Sequence, residues 1–112
     1  MTQSGFAGMP HRIIIRYQAE VDITDAAIWY HQQQSGVGHE FLAEVDSAIT
    51  SASENPAQFP RLRRKPEVRR VLTKRFPYRI FFIRRSDSIV VFRVLHFSRH
   101  DREWKQAARG EP

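Results

Sequence analysis

The fold is decided by residues 78–97, which read YRIFFIRRSDSIVVFRVLHF. Two runs rich in β-branched and aromatic residues, Tyr78–Arg85 and Ile89–Phe97, flank the short polar segment Ser86–Ser88. β-branched and aromatic side chains favour strands, and small polar residues favour tight turns. The stretch therefore predicts a β-hairpin, and the similar run Val68–Thr73 before it predicts one more strand.

The residues upstream change from a strand pattern to a helical one. His11–Gln18 alternates around three consecutive isoleucines and predicts a strand. Apolar residues then recur at i, i+4, i+7, i+8 and i+11 from Ala19, which predicts a helix that ends near Gln34. Gly36 is expected to adopt a left-handed backbone conformation where this helix ends.

A second helix follows with the same spacing. It is expected to include Phe41 and to end before Asn55-Pro56, because the residue before a proline disfavours helical angles. The short connection predicts that the two helices pack antiparallel. Residues 55–66 contain three prolines and the basic run RLRRK at 61–65, and they are interpreted as a loop. Residues 100–112 are expected to form one helical turn or to become ordered only on a partner.

The element order β-α-α-β-β-β predicts an α+β fold, in which a helical hairpin covers one face of an antiparallel sheet. The opposite face of the sheet is expected to be open and to carry the charges. One domain is expected over residues 11–107, with disordered tails at residues 1–10 and 108–112.

Charge is distributed unevenly along the 112 residues, whose net charge is +6. Residues 1–60 contain two basic and seven acidic residues, whereas residues 61–112 contain sixteen basic and five acidic ones. Such asymmetry suggests an acidic or polyanionic partner. A plainer interpretation is that the arginines only keep strand faces hydrated and sheet edges unpaired.

The chain has no cysteine, which excludes disulfides, thiolate nucleophiles and cysteine zinc sites. Its N-terminus lacks the apolar core of a signal peptide, and its apolar runs are too short to cross a bilayer. These features predict a cytoplasmic protein that does not interact with membranes. No glycine-rich phosphate loop is present, and no cofactor is expected.

Arg79 and His96 form one candidate pair. They share a face of the predicted hairpin if its loop has an even number of residues, and lie on opposite faces if the number is odd. Together they could clamp a phosphate and move a proton, as in RNA cleavage, or they could bind an acidic surface. Alternatively, both have only structural roles. His96 and His100 lack a third ligand, so no metal site is predicted.

Trp104 lies among charged residues outside the predicted strands and helices. A tryptophan in such a position either covers the edge of the sheet or anchors a partner. The sequence pattern leaves both possibilities open.

An ordered set of segments in the second half supports a family assignment: Val68–Leu72, Arg75–Phe82, Ile89–His96, Arg99 and Trp104. This set resembles the RelE/ParE toxin superfamily of bacterial type II toxin–antitoxin systems. The Phe-Pro-Tyr motif at 76–78, followed by the His and Trp, is most similar to the ParE, or plasmid stabilisation, branch.

The resemblance implies a growth-inhibiting toxin that forms a hetero-oligomer with a cognate antitoxin. ParE-like members bind DNA gyrase and are not nucleases, whereas RelE-like members cleave messenger RNA on the ribosome. A third possibility is a non-toxic relative that binds only an antitoxin or nucleic acid. Tyr78 is the last tyrosine, so the C-terminal tyrosine of typical RelE proteins has no counterpart, and this departure weakens the nuclease alternative. The Phe-Pro-Tyr motif and the spacing His96-x-x-Arg99 favour the gyrase-type branch.

Two sets of site residues follow from the resemblance. The residues expected to bind the target or the antitoxin are Arg69, Arg79, Arg93, His96, Arg99 and Trp104. In the nuclease alternative, Arg79 would clamp phosphate and His96 would carry a proton; otherwise no catalytic residue is predicted.

Overall fold

The computed structural model describes residues 10–112. The predicted tail at residues 1–10 therefore lies, apart from Pro10, outside the described residues. The elements are β1 Arg12–Ile15, α1 Tyr17–Gln33, α2 Val37–Glu54, a 3₁₀ turn Pro56–Gln58, β2 Arg61–Arg63, β3 Val68–Leu72, β4 Tyr78–Arg84, β5 Ser88–His96 and α3 Arg102–Arg109. No helix within residues 10–112 has the length and hydropathy that a membrane span requires.

The sheet has five strands in the order β1-β5-β4-β3-β2, so the predicted α+β class is confirmed. The prediction that the sheet is antiparallel needs correction at one edge, because β1 runs parallel to β5. The Arg16 N–H donates to the Val91 carbonyl, and α1 begins immediately afterwards and packs beneath β5. Since α1 must continue along the second half of β5, β1 has to point in the same direction as that strand.

The helical hairpin packs on one face of the sheet, as predicted. Phe41 of α2 is fully buried against an aromatic cluster that includes Phe76 and Tyr78. Gly36 has φ = 90°, the left-handed conformation expected between the helices. Gly38 allows the helices to approach closely, because a β-carbon there would lie 2.5 Å from the Ala27 carbonyl oxygen.

The second face of the sheet is apolar and covered, which corrects the expectation of an open, charged face. α3 lies on this face, and the Trp104 ring stacks on Phe81 with the ring centroids 5.5 Å apart. The buried residues of this second core are Val68, Phe81, Ile83, Val90, Phe92, Leu95, Trp104 and Ala108. Burial of each large apolar side chain stabilises the fold by about 1.5–3 kcal/mol.

The C-terminal segment is longer and better anchored than one helical turn. The predicted domain end at residue 107 falls within α3, and Ala108, four residues after Trp104, is fully buried. Beyond the helix, Glu111 accepts hydrogen bonds from Arg16 at 3.0–3.1 Å. Three apolar positions, Trp104, Ala107 and Ala108, among polar and charged residues are too few to predict a packed helix from the sequence.

The predicted loop at residues 55–66 contains the 3₁₀ turn and the short strand β2. Arg61 lies opposite Arg69, and Arg63 lies opposite Val68, with an irregularity between the two pairs. The three residues of β2 are too few to show a strand pattern in the sequence, so the strand is defined by its pairing with β3.

Candidate binding groove and the arginines around it

A bulge in β5 determines which faces Arg79 and His96 occupy. The Arg85 N–H donates to the Ser88 carbonyl at 2.8 Å, so the turn has two residues. Phe82 lies opposite Val91, but Phe81 lies opposite Arg93, which leaves Phe92 as an extra residue. An extra residue in one strand reverses the alternation of side chains beyond it. An even loop therefore does not bring the pair together: Tyr78 faces His96, and Arg79 faces Leu95.

Arg79 lies on the same face as α3 and holds the segment that leads into it. Its Nη1 donates to Asp101 Oδ1 at 2.7 Å, and its Nη2 donates to the Arg99 carbonyl at 2.8 Å. Its Nε has no hydrogen-bond partner among residues 10–112, and the guanidinium lies 5.2 Å from the centroid of the Phe81 ring. The hydrogen bond from Arg79 lowers the pKa of Asp101. Arg79 is thus engaged within the chain.

Arg93 is bound to α1 through Asp22. Its Nε donates to Asp22 Oδ2 at 2.8 Å and its Nη2 to Oδ1 at 3.2 Å. The same carboxylate accepts the Val94 N–H at 2.9 Å. β1 ends before this part of β5, so Asp22 takes the place of a neighbouring strand at an otherwise unpaired edge.

Arg99, Trp104 and Arg69 also make contacts within the chain. Arg99 is exposed and forms two hydrogen bonds with Glu103, one at 2.7 Å. Trp104 is only 5% exposed and covers the sheet. Arg69 donates to Glu67 at 2.7 Å and to the Phe59 carbonyl at 2.6 Å. Their binding of a partner remains a prediction.

Glu67, which precedes β3, forms ion pairs with Arg69 of β3 and Arg84 of β4. Burial raises the pKa of this carboxyl, but hydrogen bonds and charges from Arg69 and Arg84 outweigh the burial and lower it overall. The carboxylate is therefore ionised and engaged with two arginines at neutral pH.

His96 lies on the face of the sheet that packs against α1, beside a group of aromatic side chains. Its ring contacts Tyr78 edge-on at a centroid distance of 5.3 Å, and Tyr78 lies 6.3 Å from Tyr30 in the same way. These rings, together with Trp29 and Ser98, line a hollow of about 440 Å³.

A second hollow of about 240 Å³ adjoins the first, since Trp29, Tyr78 and His96 line both. Its lining also includes two acidic residues of α1, Asp22 and Asp25, and one basic residue after β5, Arg99. We refer to the two hollows together as the aromatic groove. Its lining residues are Asp22, Asp25, Ala26, Trp29, Tyr30, Tyr78, Val94, His96, Ser98 and Arg99.

Two side chains of the aromatic groove, those of His96 and Tyr78, present hydrogen-bond donors. The Ser98 N–H donates to His96 Nδ1 at 3.0 Å, so the hydrogen of a neutral imidazole lies on Nε2. Burial, followed by the neighbouring Tyr30, raises the pKa of Tyr78 to about 12. Both side chains therefore offer hydrogen-bond donors at neutral pH. Within residues 10–112, no three His, Asp or Glu side chains converge as a metal site would require.

Sequence reasoning did not include Trp29 and Tyr78 among the candidate site residues. Trp29 is 54% exposed, although it lies on a helix that packs against the sheet. One signal could have identified it: position 29 falls outside the i, i+4, i+7, i+8, i+11 set of α1. A large aromatic residue outside the buried stripe of a helix is often a contact residue.

The outer side of the helical hairpin carries a separate, mostly apolar hollow of about 340 Å³. Ile28 and Leu42, which line it, are 52% and 39% exposed. The other lining residues are Thr24, Ala27, His31, Gly38 and His39. We refer to this feature as the hairpin groove.

Comparisons with known proteins agree with the fold and identify the family. A chain of the solved structure of a chromosomal ParDE toxin–antitoxin system from P. aeruginosa superposes with a TM-score of 0.67 at 15% sequence identity. The match covers 77% of this chain and 95% of that one. A search of curated proteins found no match.

The family assignment comes from a sequence model. Residues 10–100 match the family described as the ParE toxin of the type II toxin–antitoxin system parDE. The chain therefore belongs to the ParE toxin family, as the resemblance in its second half predicted.

Proposed function

We propose that this chain is the toxin of a toxin–antitoxin pair, that its cognate antitoxin neutralises it, and that it inhibits growth by binding DNA gyrase in the cytoplasm. Membership of the ParE toxin family supports the first part. The arrangement of Arg79 and His96 supports binding rather than chemistry. A phosphate clamp and a proton carrier must meet at one substrate, whereas these two residues lie on opposite faces of the sheet.

The aromatic groove is the proposed contact site for the target. Trp29 is its most exposed aromatic ring, and interfaces use such rings as anchors. Asp25 and Arg99 would orient a polar group beside the anchor. The hairpin groove, with exposed Ile28 and Leu42, is the proposed contact site for the antitoxin.

Induction of the protein in bacteria tests the target. Gyrase poisoning should trigger the DNA-damage response and filamentation while transcripts stay intact, and purified protein should inhibit supercoiling by gyrase. Trp29→Ala should weaken that inhibition by about 30-fold or more, the loss expected for a central aromatic anchor. Tyr17→Ala is the matched control, because Tyr17 is 79% exposed and lies outside both grooves.

Messenger RNA cleavage is the second candidate, and one observation favours it: His96, Tyr78 and Arg99 line the same hollow. On this alternative, induction would stop translation and leave cut transcripts on the ribosome. His96→Ala would then abolish toxicity, whereas under the binding proposal it would only weaken it. Unaffected growth would indicate the third possibility, a non-toxic relative.

A further inference from the structure

The segment from residue 61 to residue 70 carries a charge that neither proposed groove uses. It contains six basic residues and one acidic residue, a net charge of +5 in a chain whose total is +6. Five of these basic residues lie on β2, on the turn that follows it and on the neighbouring strand β3, at one edge of the sheet. We refer to Arg61, Arg63, Arg64, Lys65 and Arg70 as the basic edge.

The basic edge makes no ion pair with any carboxylate in residues 10–112. Residues 1–9 contain no Asp or Glu that could supply one. The only acid within the segment, Glu67, pairs with Arg69 at 2.7 Å and with Arg84 at 3.4 Å. The positive charge of the basic edge is therefore not neutralised by the protein.

The arrangement disfavours the fold locally. Arg61 lies directly opposite Arg69, and like charges in facing positions destabilise a sheet, although the ion pair between Arg69 and Glu67 offsets part of this cost. Charged side chains do protect an exposed strand from pairing with other chains. A three-residue strand is already protected by its shortness, so five clustered cations exceed what that purpose requires.

The surroundings of the basic edge identify the class of ligand. Protein interfaces rely on apolar or aromatic anchors at their centre. No large apolar side chain in residues 61–70 is exposed, since Leu62 packs against the second core and Val68 is fully buried. Single-stranded nucleic acid requires aromatic rings for base stacking, and the segment has none. Cations without anchors or stacking rings suit the phosphates of a duplex.

We propose that the basic edge binds the phosphate backbone of duplex DNA without sequence preference. This inference does not rest on gyrase as the target or on the antitoxin, because neither proposed groove includes these residues. Five phosphate contacts predict that log K falls with log salt with a slope of about −4 to −5.

Fluorescence anisotropy of the full chain with a labelled DNA duplex, measured from 50 to 200 mM salt, tests the proposal. Arg61→Gln/Arg64→Gln/Lys65→Gln removes the three exposed cations of the basic edge and should reduce the slope to about −2. Arg102→Gln/Lys105→Gln/Arg109→Gln is the matched control, since it removes two arginines and one lysine that are exposed on α3. The control should keep the slope of the original chain. Circular dichroism verifies that both variants fold.

Three results would overturn the proposal. The first is no duplex binding at 50 mM salt, and the second is an equal loss of slope in the two triple variants. The third is tighter binding of single-stranded RNA or of polyglutamate than of duplex DNA. Arg61→Lys/Arg64→Lys keeps the charge and should bind DNA within about twofold of the original chain, because phosphate binding depends on charge.

Discussion

The arginines at opposite ends of the sheet differ in what they contact. Near α3, Arg79, Arg93 and Arg99 each donate to a carboxylate of the same chain. At the basic edge, Arg61 and Arg64 have no acidic partner within residues 10–112. The high arginine content of the second half thus serves two purposes. The first group forms ion pairs that join β4 to the segment before α3, β5 to α1, and Arg99 to α3, and the second group keeps a positive charge that no carboxylate of residues 10–112 neutralises.

The two tryptophans should separate fold from function with the largest effect. Trp104→Ala should lower the free energy of unfolding by about 3–5 kcal/mol, because it empties the second core beneath α3. Trp29→Ala should cost about 1 kcal/mol or less, since the ring is half exposed. Urea denaturation of both variants measures the difference. Equal losses would show that the aromatic groove is part of the core.

Loss of the Asp22 carboxylate, which pairs with Arg93, should have the second-largest effect on the free energy of unfolding. Asp22→Asn should cost about 2–3 kcal/mol, because Arg93 would remain largely buried with only the more distant Glu103, at 3.9 Å, as a counter-charge. Asp101→Asn, at a site where the carboxylate is half exposed, should cost less than about 1 kcal/mol. A similar cost for both variants in urea denaturation would contradict the distinction between a buried pair and a surface pair.

Tyr78 of the aromatic groove should make the stability of the fold depend on pH at high pH. The pKa of Tyr78 is about 12 in the folded chain, above the ordinary tyrosine value of 10.0, so the folded state holds this proton more tightly than the unfolded state. This contribution to stability is complete below pH 10 and is lost as the pH rises towards 12. Tyr78→Phe should flatten the decline of stability in that range, whereas Tyr17→Phe should not. An unchanged decline in Tyr78→Phe would refute the assignment.

Low pH should weaken the interactions of Glu67 with Arg69 and Arg84, and so lower the free energy of unfolding. The pKa of Glu67 is lowered in the fold, so the stability that it contributes is present above the ordinary value of 4.5 and is lost as the pH falls below it. Glu67→Gln should remove part of the acid sensitivity measured by urea denaturation between pH 5 and 3. A pH profile identical to that of the original chain would contradict this.

The smallest effect on the free energy of unfolding is expected for a substitution in the basic edge. Arg64→Gln should change the free energy of unfolding by less than about 0.5 kcal/mol, because the side chain is exposed and unpaired. Thermal unfolding measures it. A loss above 1 kcal/mol would mean that the residue supports the fold, as Arg93 does.

The helical hairpin and the three long strands were predictable because their signals are local. Apolar spacing along α1 and α2, the left-handed glycine and the β-rich runs each depend on neighbouring residues only. The ParE family was likewise predicted from motifs within the second half. The predicted binding of partners stays a prediction for all six residues: Arg69, Arg79, Arg93, His96, Arg99 and Trp104. Five of them contact other residues of the same chain, and His96 lines the aromatic groove.

Features that depend on distant contacts could not be read from the sequence. β2 exists because β3 lies beside it, and α3 is stable because Phe81 receives Trp104. The bulge at Phe92 reversed the faces of Arg79 and His96, although the turn itself has the expected even length. A bulge of one residue does not alter the pattern of an apolar run, so the residues that line the aromatic groove could not be predicted from the sequence.

Local chemistry along the chain was enough to establish the helices, the hairpin strands, the uneven charge and the family. Packing alone established which arginines are neutralised, which rings surround His96 and which face of the sheet α3 covers. The physical reason is that backbone preferences act between neighbours, whereas ion pairs and burial depend on residues that meet only when the chain folds. Arg16 and Glu111 are separated by 95 positions, and no local pattern links them.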